Sequence, residues 1–263
     1  MDTERGPEVL LESIDARVGI LTLNRPESLN ALNVELMRKL ADAIARMSEN
    51  DEVRCIVLTG NGRGFCAGGD TREINRASQH RAEGVAPRKS SIERRARWLR
   101  RSAEAARLLF ETPKVSIAMI NGPCAGAGLS LAAACDFRFA AESARFVSAF
   151  LANGVPGDYG GSWLWTHILG TAKARQLYLL NEPRSAREAL GFGLVDRVYD
   201  DVELRERTLQ IAAQLAGLAP SAVGYAKANL NAALTETLAQ SLDRESLNMM
   251  LGRAALMEAH RNE

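Results

Sequence analysis

Apolar residues recur along this chain with two different periods. Over 8–24 they alternate, with Val9 and Leu11 before a polar turn at Asp15-Ala16-Arg17 and Val18, Ile20, Leu21 and Leu23 after it, which predicts a hairpin. From Asn33 the period changes. Leu36, Leu40, Ile44 and Met47 share one helical face, and Asn33 is placed to cap that helix. Two short β-type runs follow, Arg54-Cys55-Ile56-Val57-Leu58-Thr59 and Val115-Ser116-Ile117-Ala118-Met119-Ile120. Between them lie a polar loop or mobile helix over 71–91 and a helix predicted over 92–111. Alanine-rich Leu129 to Cys135 predicts a buried helix, and Phe137-Arg138-Phe139 and Phe146-Val147 predict short strands. A glycine turn over 157–161 leads into a helix with Trp163 and Trp165. Ser185-Ala186-Arg187-Glu188 fits a capping box, and 195–199 a small strand. From residue 202 onward the pattern is helical, broken at Ala219-Pro220. An α/β core over 1–200 with a helical unit over 201–263 is therefore the simplest architecture.

Bulk numbers narrow the function classes. With 263 residues, 46% hydrophobic, 25% charged and a net charge of +1, nothing points to nucleic acid. No apolar run is long enough to span a bilayer, and Met1-Asp2-Thr3-Glu4-Arg5 is too polar to open a secretory signal. The four cysteines (Cys55, Cys66, Cys124, Cys135) form no CxxC pair, so reduced thiols in a cytoplasm are expected rather than disulfides or zinc. None of His80, His167 and His260 sits in a ligand-spaced pair, and no metal site is expected.

Chemistry concentrates in two glycine-rich patches, Gly64-Phe65-Cys66-Ala67-Gly68-Gly69-Asp70 and Asn121-Gly122-Pro123-Cys124-Ala125-Gly126-Ala127-Gly128. Each follows a β-type run and leads into a segment that reads as helix. Small residues at such an end leave backbone N–H groups unpaired and facing a cleft. Two such ends together make a two-donor clamp for an oxygen that gains negative charge during reaction.

Other candidates are weaker. Gly62-Arg63-Gly64-Phe65-Cys66-Ala67, with Glu83 some way on, satisfies a dinucleotide fingerprint, but Gly68-Gly69 would break the helix that should receive the pyrophosphate. A nicotinamide oxidoreductase rests on that alone. Ser130 and Ser162 lack a G-x-S-x-G setting, and His167 reads as a structural histidine. The basic run Arg88, Lys89, Arg94, Arg95, Arg97, Arg100 and Arg101 reads as a solvated helix face, with phosphate binding as the alternative. Asp158 stands out, set among glycines beside Tyr159 ahead of an apolar helix. A carboxylate against an apolar wall can carry protons near neutral pH; the competing reading is an N-cap.

At these residues the chain resembles the crotonase superfamily, the enoyl-CoA hydratase/isomerase group. The resemblance is carried by Leu23-Asn24-Arg25-Pro26-Glu27-Ser28-Leu29-Asn30-Ala31-Leu32, both glycine patches, Cys135-Asp136-Phe137-Arg138, the Gly160-Gly161 helix and the stretch from Ser185 to Asp196. It implies an α/β crotonase-like spiral of repeated ββα units, a C-terminal helical trimerisation domain, and a homotrimer or dimer of trimers. It also implies that the N–H groups of Gly69 and Ala127 hold an acyl-CoA thioester oxygen. The coenzyme A would lie along Arg25, Ser28, Leu29, Ala31, Ala67, Gly69, Asp70 and Thr71, entering as part of the substrate with no separate cofactor.

This chain departs from the typical hydratase at the two glutamate positions, which are Ser130 and Phe150 here. Asp158 matches the carboxylate that the resemblance assigns to dienoyl-CoA isomerases, some ring-enoyl-CoA isomerases and, as nucleophile, chlorobenzoyl-CoA dehalogenase. The expectation is therefore a double-bond shift through a thioester enolate, with Asp158 as acid and base. Hydration, with water activated by Asp158, Glu83 or Glu93, is the alternative, and a catalytically silent CoA-binding protein is a further one. Ser130, Phe150 and Trp98 are expected to line the acyl pocket, and Phe150, Trp98 and Trp163 together suggest a bulky or ring-bearing acyl group.

Overall fold

A computed structural model describes residues 8–70, 91–259 and 261 of the chain. The alternating start forms the hairpin of β1 (Leu10–Asp15) and β2 (Val18–Leu23). Its two turn residues, Ala16 and Arg17, both have positive φ, as a tight hairpin turn of matching twist demands. The strands β3 (Cys55–Gly60), β4 (Val115–Ile120), β6 (Phe137–Ala141) and β9 (Arg197–Tyr199) then join β2 in parallel. The six-stranded sheet has the order β1-β2-β3-β4-β6-β9.

A second ladder runs beside it. β5 (Cys124–Ala125), β7 (Arg145–Val147) and β8 (Arg184–Ser185) pair in the order β5-β7-β8. Isolated parallel bridges Cys66↔Cys124 and Leu32↔Gly69 carry that pairing back towards the start of the chain. Successive turns of chain thus place one strand in the large sheet and one in the small ladder. That is the spiral the resemblance implies.

Helix α1 (Val34–Glu49) is capped as expected, with Asn33 Oδ1 accepting from Leu36 N at 2.9 Å, and it buries Leu36, Leu40, Ala43, Ile44 and Met47. The helix expected over 92–111 is two helices, α2 (Ile92–Ser102) and α3 (Glu104–Glu111), which meet at Ala103. Only α3 buries residues in the core, whereas the arginine-rich α2 is exposed along most of its length. α4 (Ala127–Ala134) is buried along its whole length, so its small residues act as spacers that let neighbouring backbone close in. α5 (Gly161–Arg175) runs into a π-helical turn (Gln176–Leu180), and α6 (Ala186–Phe192) starts on the expected capping box at Ser185 and Glu188.

The sheet has a core on each face. Phe65, Leu131, Phe146 and Trp165 belong to one. The other is closed by α7 (Leu204–Ala216), whose Leu204, Ala212 and Ala216 pack with Val57, Ile117 and Phe139. Beyond it, α8 (Pro220–Ala232) and α9 (Leu238–Ala259) pack on each other, and Leu238, Leu242, Leu247, Met249 and Met250 are exposed. Among the described residues no helix is long and apolar enough to cross a membrane.

Candidate active site

Two turns are stitched together before any side-chain chemistry enters. Asn30, with positive φ, donates from Nδ2 to Asn61 O at 3.0 Å and Gly64 O at 2.7 Å, while Ala67 N donates to Leu29 O at 2.9 Å. Leu32 then brackets Gly69: its N–H donates to Gly68 O at 2.7 Å and its carbonyl accepts from Asp70 N at 3.0 Å. Arg25 reaches across to Asp70, Nη2 to Oδ2 at 2.8 Å, and also donates to Ala31 O. The structure therefore gathers Arg25, Ser28, Leu29, Ala31, Ala67, Gly69 and Asp70 on one pair of linked turns. Thr71, Glu83, Arg88 and Lys89 lie outside the described residues.

The second patch meets this pair from the other side. Phe65 N and Cys66 N both donate to Pro123 O at 3.1 Å, and Ala125 N donates to Cys66 O at 2.9 Å. A Cβ on Gly128 would strike Cys66, and one on Gly122 would strike Arg63 O, so only glycine allows this approach at either position. Ala127 is the first residue of α4, where helix geometry leaves the N–H without a helical acceptor. Among the described residues no backbone carbonyl takes the N–H of Gly69 or of Ala127. Among the described residues nothing lies within 4 Å of a Cβ built on Gly69. Among the described residues 61–70 none is helical, so this stretch itself does not open the helix that a dinucleotide fingerprint requires.

Asp158 lies at the end of the turn before α5. It does not cap that helix: the N-cap is Gly160, and Asp158 contributes its backbone carbonyl to Gly161 N at 3.0 Å. Its side-chain Oδ1 is buried without a hydrogen-bond partner among the described residues. Burial raises the carboxyl from an ordinary 3.8 to about 6. The same negative charge, added to burial, pushes up the hydroxyls of Tyr159 and Tyr178 and the thiol of Cys66. Asp158 is thus tied electrostatically to the first glycine patch.

Around it stand two of the expected pocket residues. Phe150 is buried and stacks on Tyr178, ring centroids 5.9 Å apart and planes 13° from parallel. It also lies 3.9 Å from the Cβ position of Gly126, the N-cap of α4. Ser130 is fully buried on α4, its Oγ 3.4 Å from Gly126 O. Trp98 instead lines a groove of about 830 Å³ with Val34, Met37 and Ala41, a lining that includes neither Ser130 nor Phe150. Trp163 is packed edge-on to Phe110 at 5.4 Å, and His167 is exposed on α5, with Nδ1 2.9 Å from Trp163 O. Glu93 is exposed at the start of α2, its carboxyl held down by the Ser91 hydroxyl, which is opposite to the tuning a general base needs.

Sequence reasoning passed over Tyr178. The signal was present in Gly157 and Gly161, which flank Asp158 at short spacing and both abut the Tyr178 side chain.

Comparison with known proteins agrees with this geometry. Residues 13–255 match the family model described as enoyl-CoA hydratase/isomerase. The 1,2-epoxyphenylacetyl-CoA isomerase of Escherichia coli K12 is 39% identical over 249 residues, 94% of this chain and 92% of that protein. The crystal structure of an enoyl-CoA hydratase from Polaromonas sp. JS666 superposes with a TM-score of 0.82 at 32% identity, covering 95% of this chain and 97% of that one. That of the enoyl-CoA hydratase from Bacillus anthracis gives 0.83 at 27%, covering 97% and 96%.

Proposed function

Because the chain belongs to the enoyl-CoA hydratase/isomerase family, we propose that it shifts a double bond in an acyl-CoA thioester, with Asp158 moving the proton. Asp158 takes a proton from the carbon beside the thioester, and the electron pair moves into the carbonyl. The resulting enolate oxygen lies between the N–H groups of Gly69 and Ala127. Asp158 then returns the same proton to a carbon further along the acyl chain, so the product is an isomer and no redox cofactor is needed. A preorganised donor of this kind is worth about 2.7–4 kcal/mol of barrier.

The observation that carries this reading is the buried Oδ1 of Asp158, which has no hydrogen-bond partner among the described residues, on a carboxyl raised to about 6. Such a group is a base at neutral pH and, once protonated, an adequate acid. Ser130 and Phe150, at the two positions where hydratases carry glutamates, cannot exchange protons in that way. Hydration remains the second reading, favoured by relatives that carry the hydratase name. The stacked Phe150 and Tyr178 rings favour a flat acyl group, in keeping with the name of the Escherichia coli relative.

Exposed leucines and methionines on α9 support a trimer or dimer of trimers built through this end of the chain. Four buried thiols, none in a disulfide, fit a reducing compartment such as the cytoplasm.

Incubation with 2-enoyl- and 3-enoyl-CoA in heavy-oxygen water tests the reaction type. A shifted double bond without label is expected. Label in the product would establish hydration instead, and binding without turnover would establish a silent acyl-CoA-binding protein.

A further inference from the structure

The proton shuttle accounts for Asp158 but leaves buried polar atoms beside it without a role, the hydroxyls of Tyr159 and Tyr178 among them. The Tyr178 hydroxyl is buried and makes no well-aligned hydrogen bond among the described residues, and its one close polar neighbour is the Ser130 hydroxyl. A buried donor left without a well-aligned acceptor is costly, so the Tyr178–Ser130 pair has donor capacity to spare for a ligand. Tyr178 is carried on the π-helical turn after α5, a distortion that frequently marks functional sites.

Three contacts fix where that hydroxyl stands. A Cβ on Gly157 would lie 3.2 Å from Tyr178 Cε1, placing the ring edge against the residue before Asp158. A Cβ on Gly161 would collide with both Tyr178 Oη and Ser130 Oγ, so the two hydroxyls converge over the first turn of α5. Phe150 covers the ring face. Ser130 Oγ is spent weakly on Gly126 O, at 3.4 Å. Burial raises the phenol to about 12, the nearby Ser130 hydroxyl opposing and the Asp158 charge adding to the shift, so it is present as a donor throughout the physiological range.

We propose that Tyr178, supported by Ser130, is a specificity-determining residue that donates a hydrogen bond to an oxygen carried on a flat, ring-bearing acyl group. This rests on the reading that the Asp158 cleft is the acyl site. A plain hydrocarbon chain would leave the phenol only the Ser130 hydroxyl, whereas a ring oxygen would accept from it directly and set the ring against the Phe150–Tyr178 stack.

The probes are phenylacetyl-CoA and 2-hydroxyphenylacetyl-CoA, titrated calorimetrically into the full-length protein. One neutral hydrogen bond predicts that the wild type binds the hydroxylated thioester about 3- to 10-fold more tightly. Tyr178→Phe keeps the ring and removes the donor, and should bring that ratio to about one. A wild-type ratio of one overturns the proposal without any variant, and so does a Tyr178→Phe ratio equal to that of the wild type. Asp158→Asn separates the two levels: if it leaves isomerisation of a 3-enoyl-CoA intact, the acyl-site reading itself fails, whatever the binding ratio.

Discussion

A Cβ built on Gly68 would stand 3.4 Å from the backbone nitrogen of Ala127 and 3.1 Å from Ala125 O. The two glycine-rich turns therefore meet backbone to backbone, at the residue before Gly69 and at the first residue of α4. Gly68 also has a φ of +95°, where a side chain is strained. Gly68→Ala should cost about 1–2 kcal/mol of stability, read as a lowered Tm. Turnover should fall by more than that loss explains, because the added methyl crowds one side of the clamp. Unchanged kcat with a lowered Tm would mean that the clamp lies elsewhere.

The Asp158 carboxyl gives a signed pH prediction. Its proton is held more tightly in the folded protein, about 6, than in the unfolded chain at an ordinary 3.8. Folding stability is thus highest below the unfolded value and falls as pH rises towards and through 6. Asp158→Asn should gain about 1–3 kcal/mol at pH 8 and little at pH 4, measured by denaturant titration. In the wild type, kcat/KM should fall below pH 6 as the base is protonated.

Lys227 has a structural role that chemical unfolding can weigh. It is buried, and its Nζ donates to Leu109 O at 3.2 Å, Lys114 O at 3.1 Å and Asp136 Oδ2 at 2.7 Å. Asp136 Oδ2 in turn accepts from Ser116 N and Oγ, which joins α8 to the start of β4. Lys227→Met leaves a largely buried carboxylate short of its cation and should cost about 3–5 kcal/mol. The double variant with Asp136→Asn should be less destabilised than the sum of the two single variants.

Arg25 should separate binding from chemistry. It is bonded to Asp70 and to Ala31 O, on the turns where the thioester's coenzyme A portion is proposed to lie. Arg25→Met should raise KM for an acyl-CoA about 10-fold, the loss of roughly one charged hydrogen bond. A fall in kcat with KM unchanged would place Arg25 in the chemistry instead.

Much of this was legible in the chain because local rules agreed with the fold. Alternation gave the β1–β2 hairpin, Asn33 gave the start of α1, and the capping box gave the start of α6. Both glycine patches were visible as small residues following β-type runs. Other features depend on contacts between distant segments. The break at Ala103 carries no glycine or proline, and it follows from α3 being drawn into the core while α2 is not. A lysine within Ala226-Lys227-Ala228 reads as surface until Asp136 and two carbonyls from elsewhere close around it. Tyr178 was hidden for the same reason: a π-helical turn has no simple sequence period, and its partners lie on three other elements.

Proton removal by Asp158 is the central claim, and deuterium exchange at the carbon beside the thioester of phenylacetyl-CoA in heavy water tests it most directly. That carbon carries exchangeable protons but no double bond to shift, so the readout is enolate formation alone. The wild type should exchange this position, and Asp158→Asn should slow the exchange by about 100-fold or more. Equal exchange rates in the two proteins would contradict the account.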